Sequence, residues 1–200
     1  MVAGALSPPR AFDVAILGST GFTGKLATEY LSKQSGIKWL AAGRSEQKLA
    51  KLNVDPSCVR IVDCTDAAAV EALVKEVRVV ANFAGTPFAD KALPVVEACV
   101  KHGTHYIDVT GENHLHRASY DNFHEQAMAS KSLVIHSCGY DSVPSDLAGF
   151  LAVNKLNDAF GVGCQELKTF GGESKGGFSG GTLATILGAL TGRTKDYPGM

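Results

Sequence analysis

The stretch that decides the fold is FDVAILGSTGFTG, residues 12–24. Its first half is an apolar run typical of a buried strand, and its second half places glycine at positions 18, 21 and 24. Gly18 permits a tight turn, Gly21 lets the backbone approach a diphosphate, and Gly24 allows the next helix to pack closely. The amides and the positive dipole end of that helix favour a phosphate. The predicted cofactor contacts of this loop are Gly18, Ser19, Thr20, Gly21, Phe22, Thr23 and Gly24.

The loop is the first of several connections between short apolar runs and segments of helical periodicity. This alternation is typical of βαβ units, so we predict an α/β fold with a doubly wound parallel sheet, a Rossmann-type domain that binds NAD(P). Predicted strands cover residues 12–17, 38–42, 59–62, 77–83, 106–109 and 133–136. Predicted helices cover residues 24–33, 46–52, 67–75, 93–102, 116–130 and 145–157.

The chain divides into three parts on composition. Residues 1–11 read as a flexible leader, and residues 12–157 as the Rossmann dinucleotide-binding domain. Residues 158–200 are rich in glycine and serine and then apolar, so we expect the start of a second α+β domain for substrate or dimerisation, with a strand up to residue 167 and an apparently truncated end.

Composition excludes several classes of protein. The chain has 200 residues, 45% of them hydrophobic, and a formal net charge of −1, which argues for a globular protein and against nucleic acid as a partner. Five cysteines without a C-x-x-C pattern are typical of a reduced, intracellular, cytoplasmic protein. No stretch reaches the roughly 20 apolar residues that span a bilayer.

The glycine pattern of residues 18–24 has two alternatives to a dinucleotide loop. A phosphate loop of the NTPase kind does not fit, because Ser19 stands at its first glycine and Leu26 where a magnesium-binding Ser or Thr is required. A purely structural glycine-rich turn remains open.

Arg44 and Ser45 follow the second predicted strand and favour NADP over NAD. An NAD site places an acidic residue on the ribose near this position, but no acid occurs before Glu46. The Arg44 guanidinium can instead pair with a 2′-phosphate, and Ser45 can add a hydrogen bond. The alternative is an ordinary exposed arginine at a strand end.

The ends of the third and fourth predicted strands supply further candidate contacts. Asp63 and Cys64 stand where the adenine is expected, although Asp63 could instead cap the helix that starts near Asp66. Ala84 and Gly85 form a small turn beside the expected nicotinamide ribose, since ligands of open parallel sheets bind at the carboxyl ends of strands.

Candidates for chemistry lie after the fifth and sixth predicted strands. Tyr140 is the candidate proton donor, with Asp141 orienting it, and Asp108 and Glu112 are candidates for binding a polar substrate. The residues around Pro144 could equally serve only to cap a helix. These residues are Ser142, Ser145 and Asp146.

Three other chemistries leave weaker marks. No tyrosine has a lysine four positions later, which disfavours the Tyr-x-x-x-Lys mechanism of short-chain dehydrogenases. Cys138 stands where semialdehyde dehydrogenases carry a nucleophile, but a cysteine beside an apolar strand is more often packing. His114 and His116 have no carboxylate or cysteine at ligand spacing, so we predict no metal site and place both at the surface.

Five segments together resemble the saccharopine dehydrogenase-like oxidoreductases, which include the mycobacterial trans-acting enoyl reductases. They are residues 12–24, 42–44, 106–112, 138–146 and 179–182, of which 138–146, CGYDSVPSD, is the most specific. The resemblance implies an NADP-dependent oxidoreductase that transfers hydride to a lipid-like enoyl or keto substrate. It also implies a longer protein with a second domain, a possible homodimer, and association with lipid droplets or organelle membranes through regions beyond residue 200.

A different class of function stays open beside the reductase. A domain that kept its dinucleotide loop and lost its chemistry would act as a non-catalytic NAD(P)-binding sensor or a membrane-associated scaffold, and a semialdehyde dehydrogenase that uses Cys138 is a third hypothesis.

Overall fold

The computed structural model describes residues 10–85, 88–173, 175–177 and 179–190. At its centre is a six-stranded parallel sheet with the strand order β3-β2-β1-β4-β5-β6. The strands are β1 (Phe12–Leu17), β2 (Trp39–Gly43), β3 (Val59–Ile61), β4 (Val77–Asn82), β5 (His105–Asp108) and β6 (Val134–Ile135). The predicted α/β class and the doubly wound parallel sheet are therefore confirmed. Most of the predicted leader, residues 1–9, lies outside the described residues.

Seven α-helices accompany the sheet in the described residues. They are α1 (Phe22–Ser32), α2 (Glu46–Leu49), α3 (Ala67–Glu76), α4 (Phe88–His102), α5 (Asn113–Ser130), α6 (Val143–Phe160) and α7 (Gly180–Leu190). The largest departure from prediction is α4, which begins at Phe88 rather than at residue 93 and keeps Pro94 inside the helix. Proline usually occupies the first turn of a helix, whereas Pro94 lies within α4.

The core covers both faces of the sheet. Ala15 and Leu17 of β1 belong to one buried cluster, together with side chains of α3, α4 and α5. Ile16 lies between them and is equally buried, at 0% exposure, but does not belong to that cluster. Because neighbouring side chains of a strand point to opposite faces, β1 is buried on both, as parallel sheets require.

The strand order places a crevice at the carboxyl end of β1. The chain leaves β1 for β2 on one side, whereas β4 pairs with β1 on the other, so Leu17 lies opposite both Ala42 and Asn82. In open parallel sheets such a reversal opens a cleft between the connections that leave the two strands, and ligands bind there. All the predicted site residues that follow strands therefore lie along one edge of the sheet.

The segment after α6 corrects one prediction. The strand expected up to residue 167 is wrong, because residues 161–173 are irregular and have no adjacent strand among the described residues. Instead, Leu167 packs so closely on Gly149 of α6 that a Cβ at Gly149 would lie 3.0 Å from Leu167 Cδ2. The apolar run that follows lies in α7. No helix in the described residues is both long and apolar enough to cross a membrane.

Candidate functional site

In the loop between β1 and α1, a side chain at Gly18 or Gly24 would clash with backbone atoms. Gly18 has a φ of +85°, and a Cβ on it would lie 2.6 Å from Ala84 N and from Phe83 C in the loop after β4. A Cβ on Gly24 would lie 2.1 Å from Gly18 O. Because these neighbours are backbone atoms, they cannot move aside as a flexible side chain would. The two loops of the crevice therefore touch through glycine.

The start of α1 offers its amides without a side chain in front of them. Gly21 is the N-cap and is exposed, and no side chain caps the helix there. Phe22 is 71% exposed, and Thr23 is also exposed. A Cβ on Gly21 would lie 3.3 Å from Gly18 O, a tight but smaller conflict than at the other two glycines. The first turn of a helix has amides without intrahelical partners, and an anion can bind them.

Ser19 holds the loop on the sheet rather than presenting a hydroxyl to the crevice. Its side chain is 0% exposed, and both Ser19 N and Ser19 Oγ donate to Ala42 O of β2, each at 3.1 Å. Gly18 N donates to the same carbonyl at 2.9 Å. Among the predicted loop contacts, the side chain of Ser19 is thus engaged in a hydrogen bond to the sheet. Thr20 is only partly buried, beside Gly43.

Two basic residues, Arg44 after β2 and Lys91 early in α4, lie near Asp63 after β3. Arg44 is exposed directly after β2, and the pKa of Asp63 is lowered first by hydrogen bonds from Thr65 and further by the charges of Arg44 and Lys91. A Cβ on Gly85 would lie 3.4 Å from Lys91 Nζ. Lys91 was not singled out from the sequence, although a lysine early in α4, after a candidate ribose loop, is a usable signal.

Two of the predicted contacts after β2 and β3 have a local structural task. Ser45 is the N-cap of α2, where its Oγ accepts from Lys48 N at 3.4 Å. Asp63 does not cap α3, because that position belongs to Asp66, whose Oδ1 accepts from the amides of residues 68 and 69. Asp63 Oδ1 instead accepts from Thr65 N at 3.0 Å and Thr65 Oγ1 at 2.8 Å. Cys64 beside it is buried, and burial raises its pKa.

The loop after β4 is shaped by Asn82. This side chain is fully buried, and its Oδ1 accepts from Ala84 N at 2.9 Å. Gly85 follows with a φ of +54°, a left-handed conformation that favours glycine. Ala84 therefore lies beside the glycine loop of β1, and the contact of Ala84 and Gly85 with the nicotinamide ribose stays a prediction.

Asn82 also begins a chain of buried hydrogen bonds that sequence reasoning missed. Asn82 Nδ2 donates to Tyr106 Oη at 3.0 Å, Tyr106 Oη donates to Asp108 Oδ2 at 3.0 Å, and His136 Nδ1 lies 2.7 Å from the same carboxylate oxygen. Burial raises the pKa of Tyr106 well above its ordinary value, aided by the charge of Asp108, so Tyr106 stays a neutral donor. Asn82 lies in β4, Tyr106 and Asp108 lie in β5, and His136 directly follows β6, so only the sheet brings them together.

Asp108 is a carboxylate held inside the protein rather than offered to a substrate. Its exposure is 1%. Burial alone would raise the pKa of Asp108, but the hydrogen bond and charge of His136, with the amides of Thr110 and Ser137, lower it below the ordinary value. Glu112 is likewise only 5% exposed and lies 3.3 Å from His114 Nε2. Neither carboxylate faces solvent as a site for a polar substrate would require.

Residues 14–135 match the saccharopine dehydrogenase NADP binding domain family, which covers most of the sheet and the glycine loop. The chain belongs to this family. Its members are NADP-binding domains of oxidoreductases, and NADP is the cofactor that the family implies. The residues present fit a dinucleotide, because the space that a Cβ on Gly21 would fill is left open in front of the α1 amides.

Known proteins of similar sequence carry enoyl reductase names. The trans-acting enoyl reductases of Mycobacterium tuberculosis and Mycobacterium leprae are 34% and 33% identical to this chain over 195 residues. Each match covers 94% of this chain and 46% of the relative, so the chain spans less than half the length of these relatives. The solved structure of saccharopine dehydrogenase (L-Glu forming) from Saccharomyces cerevisiae has a TM-score of 0.62 over 74% of this chain and 32% of that chain. At 19% identity this likeness shows the fold.

In this saccharopine dehydrogenase-like chain the predicted catalytic pair lies on an open surface. Tyr140 is 85% exposed, Asp141 is exposed, and no hydrogen bond joins their side chains in the described structure. Ser142 is the N-cap of α6 but makes no side-chain cap, whereas Ser145 Oγ bonds back to the carbonyls of Asp141 and Ser142. The capping alternative is therefore not what the structure shows for Ser142.

The predicted surface position of His114 and His116 is wrong. His114 and His116 are partly buried rather than at the surface, and His116 Nε2 lies 2.9 Å from Ser137 Oγ. Burial, with the charge of His136, lowers the pKa of His116.

Among the described residues no group of three or more His, Cys, Asp or Glu could hold a metal ion. Burial and the charge of Asp108 raise the pKa of Cys138, the opposite of what a nucleophilic thiol requires.

Proposed function

We propose that this chain is the NADP-binding part of a reductase that transfers hydride from NADPH to a lipid-like enoyl or keto substrate. The observation that carries the proposal is the glycine loop, whose shape leaves the α1 amides open at the reversal of strand order. The names of the mycobacterial relatives support an enoyl substrate. NADPH would supply the hydride, and the chain's part is to bind and orient it.

In this proposal the diphosphate is held by the loop residues and the start of α1. Gly18, Gly21 and Gly24 shape the loop, and the amides of residues 22 and 23 donate. Ala84 and Gly85 border the nicotinamide ribose, while Asp63 and Cys64 border the adenine. The exposed Arg44 binds the 2′-phosphate, with Ser45 beside it, and Lys91 adds positive charge on the β4 side.

The test of this cofactor assignment is calorimetric titration of the chain with NADPH and with NADH. Arg44→Ala should weaken NADPH binding by about tenfold or more, since hydrogen bonds to charged groups contribute about 1.5–3 kcal/mol. NADH affinity should not change, because NADH lacks the 2′-phosphate. Arg117→Ala is the matched control, since Arg117 is exposed on α5 and pairs with Asp121. Equal loss for both cofactors, or no loss, would overturn the role of Arg44.

The reductase step is tested by oxidation of NADPH in the presence of enoyl and keto lipids. We propose Tyr140 as the proton donor and Asp141 as its neighbour, so Tyr140→Phe should lower turnover while leaving NADPH affinity unchanged. The full-length protein is assayed with the lipids. If it binds NADPH tightly but oxidises none with any lipid, the result would favour the non-catalytic sensor instead. The 85% exposure of Tyr140 is the observation that favours this second candidate.

The division into a dinucleotide domain, residues 12–157, and a second domain from residue 158 is also a proposal. In the described residues α6 continues through residue 158 to Phe160, and Gly161 ends it in a left-handed conformation. Homodimerisation and association with a lipid surface stay predictions of the sequence.

A further inference from the structure

A single buried carboxylate joins the segments that follow β5 and β6. Asp108 Oδ1 accepts from Thr110 N and from Ser137 N, each at 3.1 Å. Its Oδ2 accepts from Tyr106 Oη and lies 2.7 Å from His136 Nδ1. The backbone carbonyl of Asp108 accepts from Cys138 N at 2.7 Å. Both segments are therefore tied to one residue at the carboxyl edge of the sheet.

Ser137 is held in a conformation that a non-glycine residue seldom adopts. Its φ is +59°, in the left-handed region. Apart from its amide bond to Asp108, Ser137 Oγ donates to Thr110 O at 2.7 Å and lies 2.9 Å from His116 Nε2. A strained backbone persists only where its surroundings over-determine it. Here the surrounding polar groups belong to Asp108, Thr110 and His116. The strained residue lies immediately before Cys138.

The His136 ring is fixed from three sides. Its Nδ1 faces Asp108, its face stacks on His116 at a centroid distance of 5.2 Å, and Tyr106 meets it edge-on at 5.7 Å. The side chain is 11% exposed, and its buried Nε2 has no partner among the described residues. The orienting hydrogen bond of this imidazole is thus the one to Asp108.

We propose that Asp108 and His136 are a positioning pair that sets the conformation of residues 137–141, and with it the placement of Cys138 and Tyr140 at the edge of the cofactor crevice. The pair acts through the backbone: His136 orients the Asp108 carboxylate, and Asp108 then holds the amides of Ser137 and Thr110. The inference rests on the proposed function for the meaning of the crevice, but the conformation of the segment can be measured without turnover.

Alkylation of Cys138 by iodoacetamide, located by peptide mass spectrometry, reports on this segment in the whole chain. His136→Phe keeps a ring for stacking on His116 and removes the bond to Asp108. We expect it to raise the alkylation rate of Cys138 by about tenfold, because local opening exposes the thiol. The buried Cys99 should stay unlabelled in the same sample, which shows that the fold is intact. His124→Phe is the matched control, since His124 is exposed on α5 and stacks on Tyr120.

A purely structural role for His136 would label Cys99 and Cys138 together, whereas a positioning role changes Cys138 alone. Unchanged labelling of Cys138 in the folded variant would overturn the proposal. If wild-type protein failed to bind NADPH at all, the proposed function would fall, yet the labelling result would still decide the role of the pair.

Nitrogen-15 NMR of the wild-type imidazoles gives a second measurement that needs no variant to fold. We expect a proton on His136 Nδ1 that exchanges slowly with water, assigned through its contacts with the Tyr106 ring. An unprotonated Nδ1, or a proton that exchanges as fast as those of exposed histidines, would contradict the hydrogen bond to Asp108 on which the proposal depends.

Discussion

Single glycines determine how closely the backbone of the loop between β1 and α1 packs on its neighbours. A Cβ on Gly24 would overlap the backbone of Gly18. A Cβ on Gly21 would make only a tight contact with Gly18 O. The three glycines of one motif therefore have different tasks. Gly18 and Gly24 permit the close packing of the backbone, and we propose that Gly21 permits the ligand to approach.

Gly24→Ala should lower the free energy of unfolding by about 3 kcal/mol or more, because the added methyl group would overlap the Gly18 carbonyl and force the backbone of two elements to shift. Denaturant unfolding followed by circular dichroism measures this loss. Gly163→Ala is the control, since a Cβ there would meet nothing within 4 Å. Equal stability of the two variants would contradict the close contact of α1 with the loop.

Capping residues decide where the helices around the crevice begin. Asp66 accepts from two amides at the start of α3, and Asp63 makes a separate turn with Thr65 just before it. Asp63 and Asp66 are only three positions apart, but they accept hydrogen bonds from different groups, and their spacing in the sequence does not show this. Asp66 caps α3, and we propose that Asp63 borders the cofactor crevice.

Asp66→Ala should cost about 1 kcal/mol of stability, the usual loss when an N-cap side chain is removed. NADPH affinity should be unaffected, because the Asp66 carboxylate is used by α3. Thermal unfolding and calorimetric titration of the same sample check both halves of the prediction. Asp158→Ala, at an exposed position of α6, controls for the loss of a negative charge. A variant that kept its stability but lost NADPH affinity would show that Asp66 belongs to the crevice.

Burial is distributed unevenly over the whole molecule. The sheet and helices α3–α5 share a closed core, whereas α6 and the segment after it carry many exposed apolar side chains. Leu147, Phe150 and Leu151 of α6 are 52%, 61% and 64% exposed. Contiguous apolar surface of this kind marks an interaction site or promotes association.

We expect the 200-residue chain to self-associate, and Phe150→Glu with Leu151→Glu to weaken that association by about tenfold or more, because each buried apolar side chain contributes about 1.5–3 kcal/mol. Sedimentation velocity over a concentration series measures the change. Tyr30→Glu is the matched control, since Tyr30 is 64% exposed on α1. A wild-type chain that stays monomeric at high concentration would contradict the prediction.

The fold and the cofactor loop could be read from the sequence because their signals are local. Apolar runs of five or six residues separated by helical periodicity specify parallel strands, and the spacing of Gly18, Gly21 and Gly24 after such a run specifies the turn. The strand expected up to residue 167 failed for the opposite reason: an extended segment becomes a strand only where a neighbouring strand pairs with it, and composition does not report that neighbour.

What the amino-acid sequence determined by itself was the α/β sheet and the position of its dinucleotide loop, since each depends on residues close together in the chain. What only the tertiary structure decided was the network of Asn82, Tyr106, Asp108 and His136. Its members lie in or directly after three strands and meet because parallel strands end at one edge. Hydrogen bonds between side chains so distant in sequence depend on the register of the sheet, which forms only when the whole domain folds.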